Sequence, residues 1–155
     1  MIEPFTFSPS TGPSIEGPAF SWTFKAATSL MVAGIGFWLA LVWEADHARG
    51  GSNSLLAWFF AALAMLVFFT FWILRSRTRI DALGIHQTWF ADKHMPMADL
   101  ALVSVIRIRG FEWLVAPRVH VRTLNGKFTV FQAAGPQLLD EFARLSREVQ
   151  AFRQR

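Results

Sequence analysis

The sequence predicts an α+β membrane protein, in which a transmembrane hairpin of two helices precedes an antiparallel sheet and a closing C-terminal helix. Composition gives the first reason: 53% of the 155 residues are hydrophobic and only 17% charged, too apolar for a soluble domain of this size. Two uncharged apolar runs in the first half give the second. The third is a second half that alternates short β-like runs with turn signals and then changes to a helical period. The absence of Cys removes thiol nucleophiles, thiolate metal sites and disulfides. The absence of Tyr removes phenol chemistry. A formal charge of +4 suits nucleic acid or an anionic membrane, and the hydropathy favours the membrane.

Residues 1–24 form an N-terminal segment without Lys or Arg, with several prolines and with Glu3 and Glu16, a pattern unlike a cleaved signal peptide. The hairpin is expected over residues 25–75. Its first run, 26–43, lies between Lys25 and Glu44 and as a helix covers roughly 27 Å against a hydrocarbon core of about 30 Å. The second run, 50–74, lies between Arg49 and Arg75 and shows no polar periodicity. Trp22, Phe24, Trp38, Trp43, Trp58 and Trp72 sit near the run ends, where interfacial anchors belong. Small residues at helical spacing, Ser29/Ala33, Gly36/Ala40 and Ala57/Ala61, allow close helix approach. The connecting loop holds Glu44 and Asp46 against Arg49, while Lys25 precedes the first run and Arg75, Arg77 and Arg79 follow the second. By the positive-inside rule both termini are then cytoplasmic.

Residues 76–155 make the anchored domain. "TRIDAL" and "IHQTWF" read as strands joined across Gly84, and "LALVSVIRIR" as a strand ending at Gly110. "RVHVRT" and "FTVFQ" flank Asn125-Gly126, a strong signal for a two-residue type I′ turn. That turn sets Val121 opposite Val130 and Val119 opposite Gln132. The expected core face is then Val119, Val121, Phe128 and Val130, and the outer face Arg118, His120 and Arg122 with Thr129 and Phe131. Ile106 and Ile108 alternate with Arg107 and Arg109 in the same way. From 136 to 152, Leu138, Phe142, Leu145, Val149 and Phe152 form a helical stripe, with Asp140/Arg144 and Arg144/Glu148 as exposed i,i+4 pairs.

The helical hairpin, "TRIDALGIHQTWF", Asp99-Leu100 before a long strand, "LNGKFTVF" and the terminal helix together resemble small bacterial membrane proteins with a pleckstrin-homology-like domain. The resemblance rests on pattern and order and covers most of the chain. It implies a bent antiparallel sheet or partial barrel closed by the C-terminal helix, in the bacterial inner membrane, with no catalytic residues to carry over. Such a domain has seven strands, and only five or six are legible here. Residues 4–8, around Phe5 and Phe7, are expected to supply a missing edge strand, restricted by Pro4 and Pro9, and residues 10–20 to be an irregular linker.

No enzymatic constellation stands out. His47, His86, His94 and His120 lack metal-ligand spacing, no glycine-rich stretch has the lysine of a phosphate loop, and no ionisable residue lies inside either apolar run. Catalytic, cofactor and metal residues are therefore all expected to be absent. Two binding roles remain. The first is a scaffold or accessory subunit for a membrane protein partner or a second copy, through Phe111, Trp113 and Leu114 of an apolar loop and Trp58, Phe59, Phe68 and Phe69 of the second span. The alternative is binding of anionic lipids by Arg75, Arg77, Arg79, Arg107, Arg109, Arg118, His120 and Arg122. No nucleic-acid partner is expected, since apart from Phe131 the basic residues are not interleaved with stacking aromatics.

Overall fold

The protein, seen here as a computed structural model, is described over residues 5–48, 54–108, 110–111 and 113–154. It is an α+β chain with two antiparallel sheets. Strand β1 (Ser14–Pro18) comes first, then helices α1 (Trp22–Ala48) and α2 (Ser54–Arg75). Strands β2 (Arg77–Asp81), β3 (Gly84–Gln87) and β4 (Lys93–Pro96) complete a sheet of order β1-β2-β3-β4. A 3-10 turn (Met97–Asp99) leads into β5 (Leu100–Ile106), β6 (Arg118–Thr123) and β7 (Phe128–Gln132), a second sheet of order β5-β6-β7. Helix α3 (Pro136–Arg153) follows, packing on β5 and reaching β1.

Both long helices are apolar around their circumference, so neither has a face that dictates burial. Both are long and apolar enough to cross a membrane, and almost all of their described side chains lie open. Ser21 caps α1, its Oγ accepting from the Phe24 amide at 3.3 Å. The helices meet through edge-to-face rings, Trp38 on Phe59 and Trp43 on Phe60. Gly36 faces α2, where an added Cβ would rest 3.8 Å from Leu63. Helix α1 outlasts the expected span and includes Glu44 and Asp46, because no residue before the glycine pair at 50 and 51 opposes helix. Arg49 and the rest of the connection, 49–53, lie outside the described residues.

The helical pair is an insertion between two neighbouring strands. Strand β1 pairs antiparallel with β2, Ile15 opposite Ile80 and Glu16 opposite Arg79. The N-terminal segment thus joins the sheet through Ser14–Pro18, where a linker was expected, and not through residues 5–8. Phe5 and Phe7 are buried in the core outside any ladder. Gly17 suits this strand because an added Cβ would lie 3.2 Å from Leu138, and Pro18 is tolerated at the end of an edge strand. Strand β4, another short edge strand, was also not expected. With it the described residues form seven strands.

The β6–β7 register differs from the expected one by a single residue. Val121 faces Thr129 and Val119 faces Phe131, because the turn has three residues rather than two. The Gly126 amide donates to Thr123 O at 3.0 Å and the Thr123 amide to Lys127 O at 2.9 Å. Gly126 alone is left-handed, at φ +78°, whereas a type I′ turn needs positive φ at both central positions. One residue of slip exchanges faces. Phe131 is fully buried, at 0% exposure, and Phe128 is outside, at 58%. Ile106 and Ile108 are exposed as well, since a bulge between Leu100 and Leu102 leaves Val103 and Val105 facing Val121 and Val119.

The free edge of β7 is held by side chains of the first sheet. Gln87, almost fully buried, donates through Nε2 to Gln132 Oε1 at 3.1 Å and accepts from the Gln132 amide at 3.3 Å. Thr78 Oγ1 donates to Gln132 O at 2.6 Å and Lys93 Nζ to Val130 O at 3.2 Å. On the other side residues 5–10 strap across α3. Phe5 meets Phe152 edge-on, the Arg144 guanidinium covers the Phe7 ring at 4.7 Å, and the Ser10 amide donates to the buried carboxylate of Glu141 at 3.2 Å. Arg144 pairs with Glu141 and Glu148, at 3.5 and 2.8 Å, and not with the expected Asp140.

The register has a direct check. Phe131→Ala should destabilise the purified protein by about 3–5 kcal/mol, and Phe128→Ala by no more than about 0.5 kcal/mol. Thermal denaturation of the two variants side by side measures the difference, and comparable losses would contradict the observed pairing.

Candidate functional site

Alternation in β6 places Arg118, His120 and Arg122 on the outer face of the second sheet, and the two flanking strands decide what surrounds them. The cross-strand rows are Leu102–Arg122–Phe128, Ser104–His120–Val130 and Ile106–Arg118–Gln132. A basic central stripe is therefore bordered by Leu102, Ile106 and Phe128, all exposed, by Val130, and by the polar Ser104 and Gln132. The Phe128 ring stands edge-on to His120 at 5.3 Å. Arg118 and Arg122 are four residues apart on one strand, so their Cα atoms are roughly 13 Å apart.

The remaining arginines lie elsewhere. Arg77 and Arg79 are on the outer face of the first sheet, 3.3 Å from Glu16 and 3.4 Å from Asp81 respectively. Arg75 ends α2 with its guanidinium 5.4 Å from the Phe71 ring centre, and Arg107 is exposed just past β5. Arg109 lies outside the described residues. The seven described basic positions among the eight read from the sequence thus do not gather on one face. Those on the first sheet share it with carboxylates, and exposed pairs of this kind hold only about 0–1 kcal/mol.

The first sheet also carries a cluster that sequence spacing did not reveal. His86 and His94 are register partners, their rings 4.3 Å apart, and His86 Nε2 lies 3.6 Å from Asp81 Oδ2, beyond hydrogen-bond length. With Arg79 and Asp92 they line an open depression of about 360 Å³. Recognising Lys93–Pro96 as a strand would have placed the two imidazoles together. Among the described residues no three His, Asp or Glu side chains are placed to hold a metal ion.

The apolar loop expected as an interface is tied to α1. Ser21 Oγ donates to Leu114 O at 2.8 Å, and Thr23 Oγ1 donates to Trp113 O. Phe111 and Trp113 are exposed, and Leu114 is half-buried. On α2, Phe59 meets Trp38 of α1 edge-on, and all four, Trp58, Phe59, Phe68 and Phe69, remain exposed. Phe131, the aromatic expected beside the arginines, is in the core instead. Comparison of the chain with family models, with curated proteins and with solved structures returns no match.

Two hydroxyls therefore tie to the start of α1 a loop whose described residues are joined internally by the bonds from Phe111 to Ile108 O and from Leu114 and Val115 to Phe111 O. The double variant Ser21→Ala, Thr23→Val should raise amide hydrogen exchange across residues 113–116 while leaving exchange in α3 unchanged. Unaltered exchange in the loop would show that the hydroxyls do not hold it.

Proposed function

We propose that α1 and α2 span a bacterial inner membrane as a hairpin with both termini cytoplasmic, and that the chain is a non-enzymatic scaffold or accessory subunit. In this reading the sheets and α3 are a pleckstrin-homology-like module. The four-stranded and three-stranded antiparallel sheets, with a C-terminal helix packed on β5 and reaching β1, agree with that expectation. Strands β1 and β2 flank the helices and pair with one another, so both ends of the hairpin leave it on one side. Lys25, Arg75 and Arg77 on that side favour the cytoplasm.

The outer face of the second sheet carries the partner-binding reading. Exposed Leu102, Ile106 and Phe128 around Arg118, His120 and Arg122 form a surface that desolvates readily at its borders and demands negative charge at its centre. A protein segment with an acidic residue between apolar ones fits it. The anionic-lipid alternative shares Arg118 with this face and, of the eight basic positions, leans on Arg75, Arg77 and Arg107 as well, on the elements nearest the helices.

Affinity purification of the full chain in mild detergent distinguishes the two. A stoichiometric protein partner is expected, and Phe128→Glu with Leu102→Glu should weaken its binding by at least tenfold, or about 1.4 kcal/mol. Arg75→Gln with Arg77→Gln should leave it in place. A wild-type chain that elutes alone, carrying anionic lipid lost in the Arg75/Arg77 variant, would replace the first reading by the second.

A further inference from the structure

Two turns of the domain, distant in sequence, converge on the base of the helical pair and present aromatic rings there. The β3–β4 turn is fixed beside the end of α2, since the Thr88 amide donates to Arg77 O at 2.9 Å and Ser76 Oγ to Thr88 O at 2.8 Å. Its Trp89 packs on Phe20 at 5.7 Å, and Phe20 stacks on Phe24 in the first turn of α1 at 5.5 Å. The β5–β6 turn is fixed beside the start of α1 by the bonds from Ser21 and Thr23. Lys25 Nζ donates to Leu74 O at 2.9 Å, which sets the start of α1 and the end of α2 at one level. The two turns therefore share the level at which the apolar helices begin.

At that level Phe90 is 60% exposed and Trp113 is 63% exposed, with Phe111 and Trp22 also open. Phe90 meets Trp89 edge-on at 6.3 Å and leaves the rest of its ring open. The turns at the opposite end of the sheets expose Leu83 and Leu124, and the open ring nearest them, Phe128, belongs to β7 and lies on the outer face of the second sheet. Arg118 borders a depression of about 190 Å³ beside Phe20 and Phe24, adding a cation at the same end. Aromatic rings with cations close behind are the side chains that the carbonyl and headgroup region of a bilayer accommodates best.

We propose that the β3–β4 and β5–β6 turns are a second membrane contact: Phe90, Phe111 and Trp113 insert into the bilayer interface beside Trp22 and seat the domain on the lipid surface. The proposal rests on α1 and α2 spanning the membrane and adds that the domain does not hang free of it. Seated in this way, the domain has one orientation, and the outer face of the second sheet looks along the membrane rather than away from it.

The chain has no Cys, so single labels can be placed without background. Full-length Phe90→Cys, Trp113→Cys, Met65→Cys and Leu83→Cys carry an environment-sensitive fluorophore in nanodiscs of phosphatidylcholine and phosphatidylglycerol. Some of the lipid is brominated either near the carbonyls or near the chain ends. Labels at 90 and 113 should emit to the blue of the label at 83 and be quenched most by the shallow bromines. The label at 65 should be quenched most by the deep ones. Unquenched labels at 90 and 113 with a quenched label at 65 would overturn the seating and leave the spans standing. An unquenched label at 65 would overturn both.

Discussion

The ladder between β1 and β2 is the constraint on which the rest of the structure depends. It closes a loop holding both long helices, and closing a loop of that length carries an entropic cost that the ladder and its neighbours must offset. They do so with buried Ile15 against buried Ile80, with the bond from the Ala19 amide to Ser76 O and with that from the Ala134 amide to Pro18 O. Helices and sheets are consequently joined by backbone pairing on both sides of the insertion. A tether at one end would allow the domain to swing, whereas this connection fixes where the turns at the helix base point.

Glu141 shows how the N-terminal strap is made specific. A carboxylate that is almost fully buried is costly unless its oxygens are satisfied. Here Ser10 supplies its amide and hydroxyl to one oxygen, while the other accepts no hydrogen bond and is offset only by the charge of Arg144 at 3.5 Å, a side chain that also reaches Ser8 O, Glu148 and the Phe7 ring. Hydrophobic burial of Phe5 and Phe7 would hold the segment in several ways. The polar pairs select one of them, and the same residues close the core beside α3.

How much of this was legible in the sequence depended on how long a signal each element carries. The long helices and α3 were readable because uniform apolarity and a repeating stripe persist over many residues. Strands β1 and β4 were not, since each is short and contributes one large inward apolar side chain, Ile15 and Met95, too few for alternation to appear. The Asn-Gly pair identified the hairpin, but the Thr123 hydroxyl accepts from the Lys127 amide at 3.0 Å and helps hold a three-residue turn. The choice between Phe128 and Phe131 for the core followed that turn. The outward direction of Arg118 and Arg122 was readable from alternation alone. Their separation from Arg77 and Arg79 was not, because it depends on which sheet each strand joins, as does the pairing of His86 with His94.

The insertion between β1 and β2 also bears on the order of events during translation. Residues 5–18 leave the ribosome before the helices, yet β2, which pairs with them, and α3, which covers Phe7, come after. Until then the segment can only wait, with its phenylalanines uncovered. Folding of the first sheet is therefore gated by completion of the helical pair, and its last step by synthesis of the final helix. A nascent chain stalled between these points exposes its N-terminal aromatic residues, a ready mark for chaperones and proteases to act on.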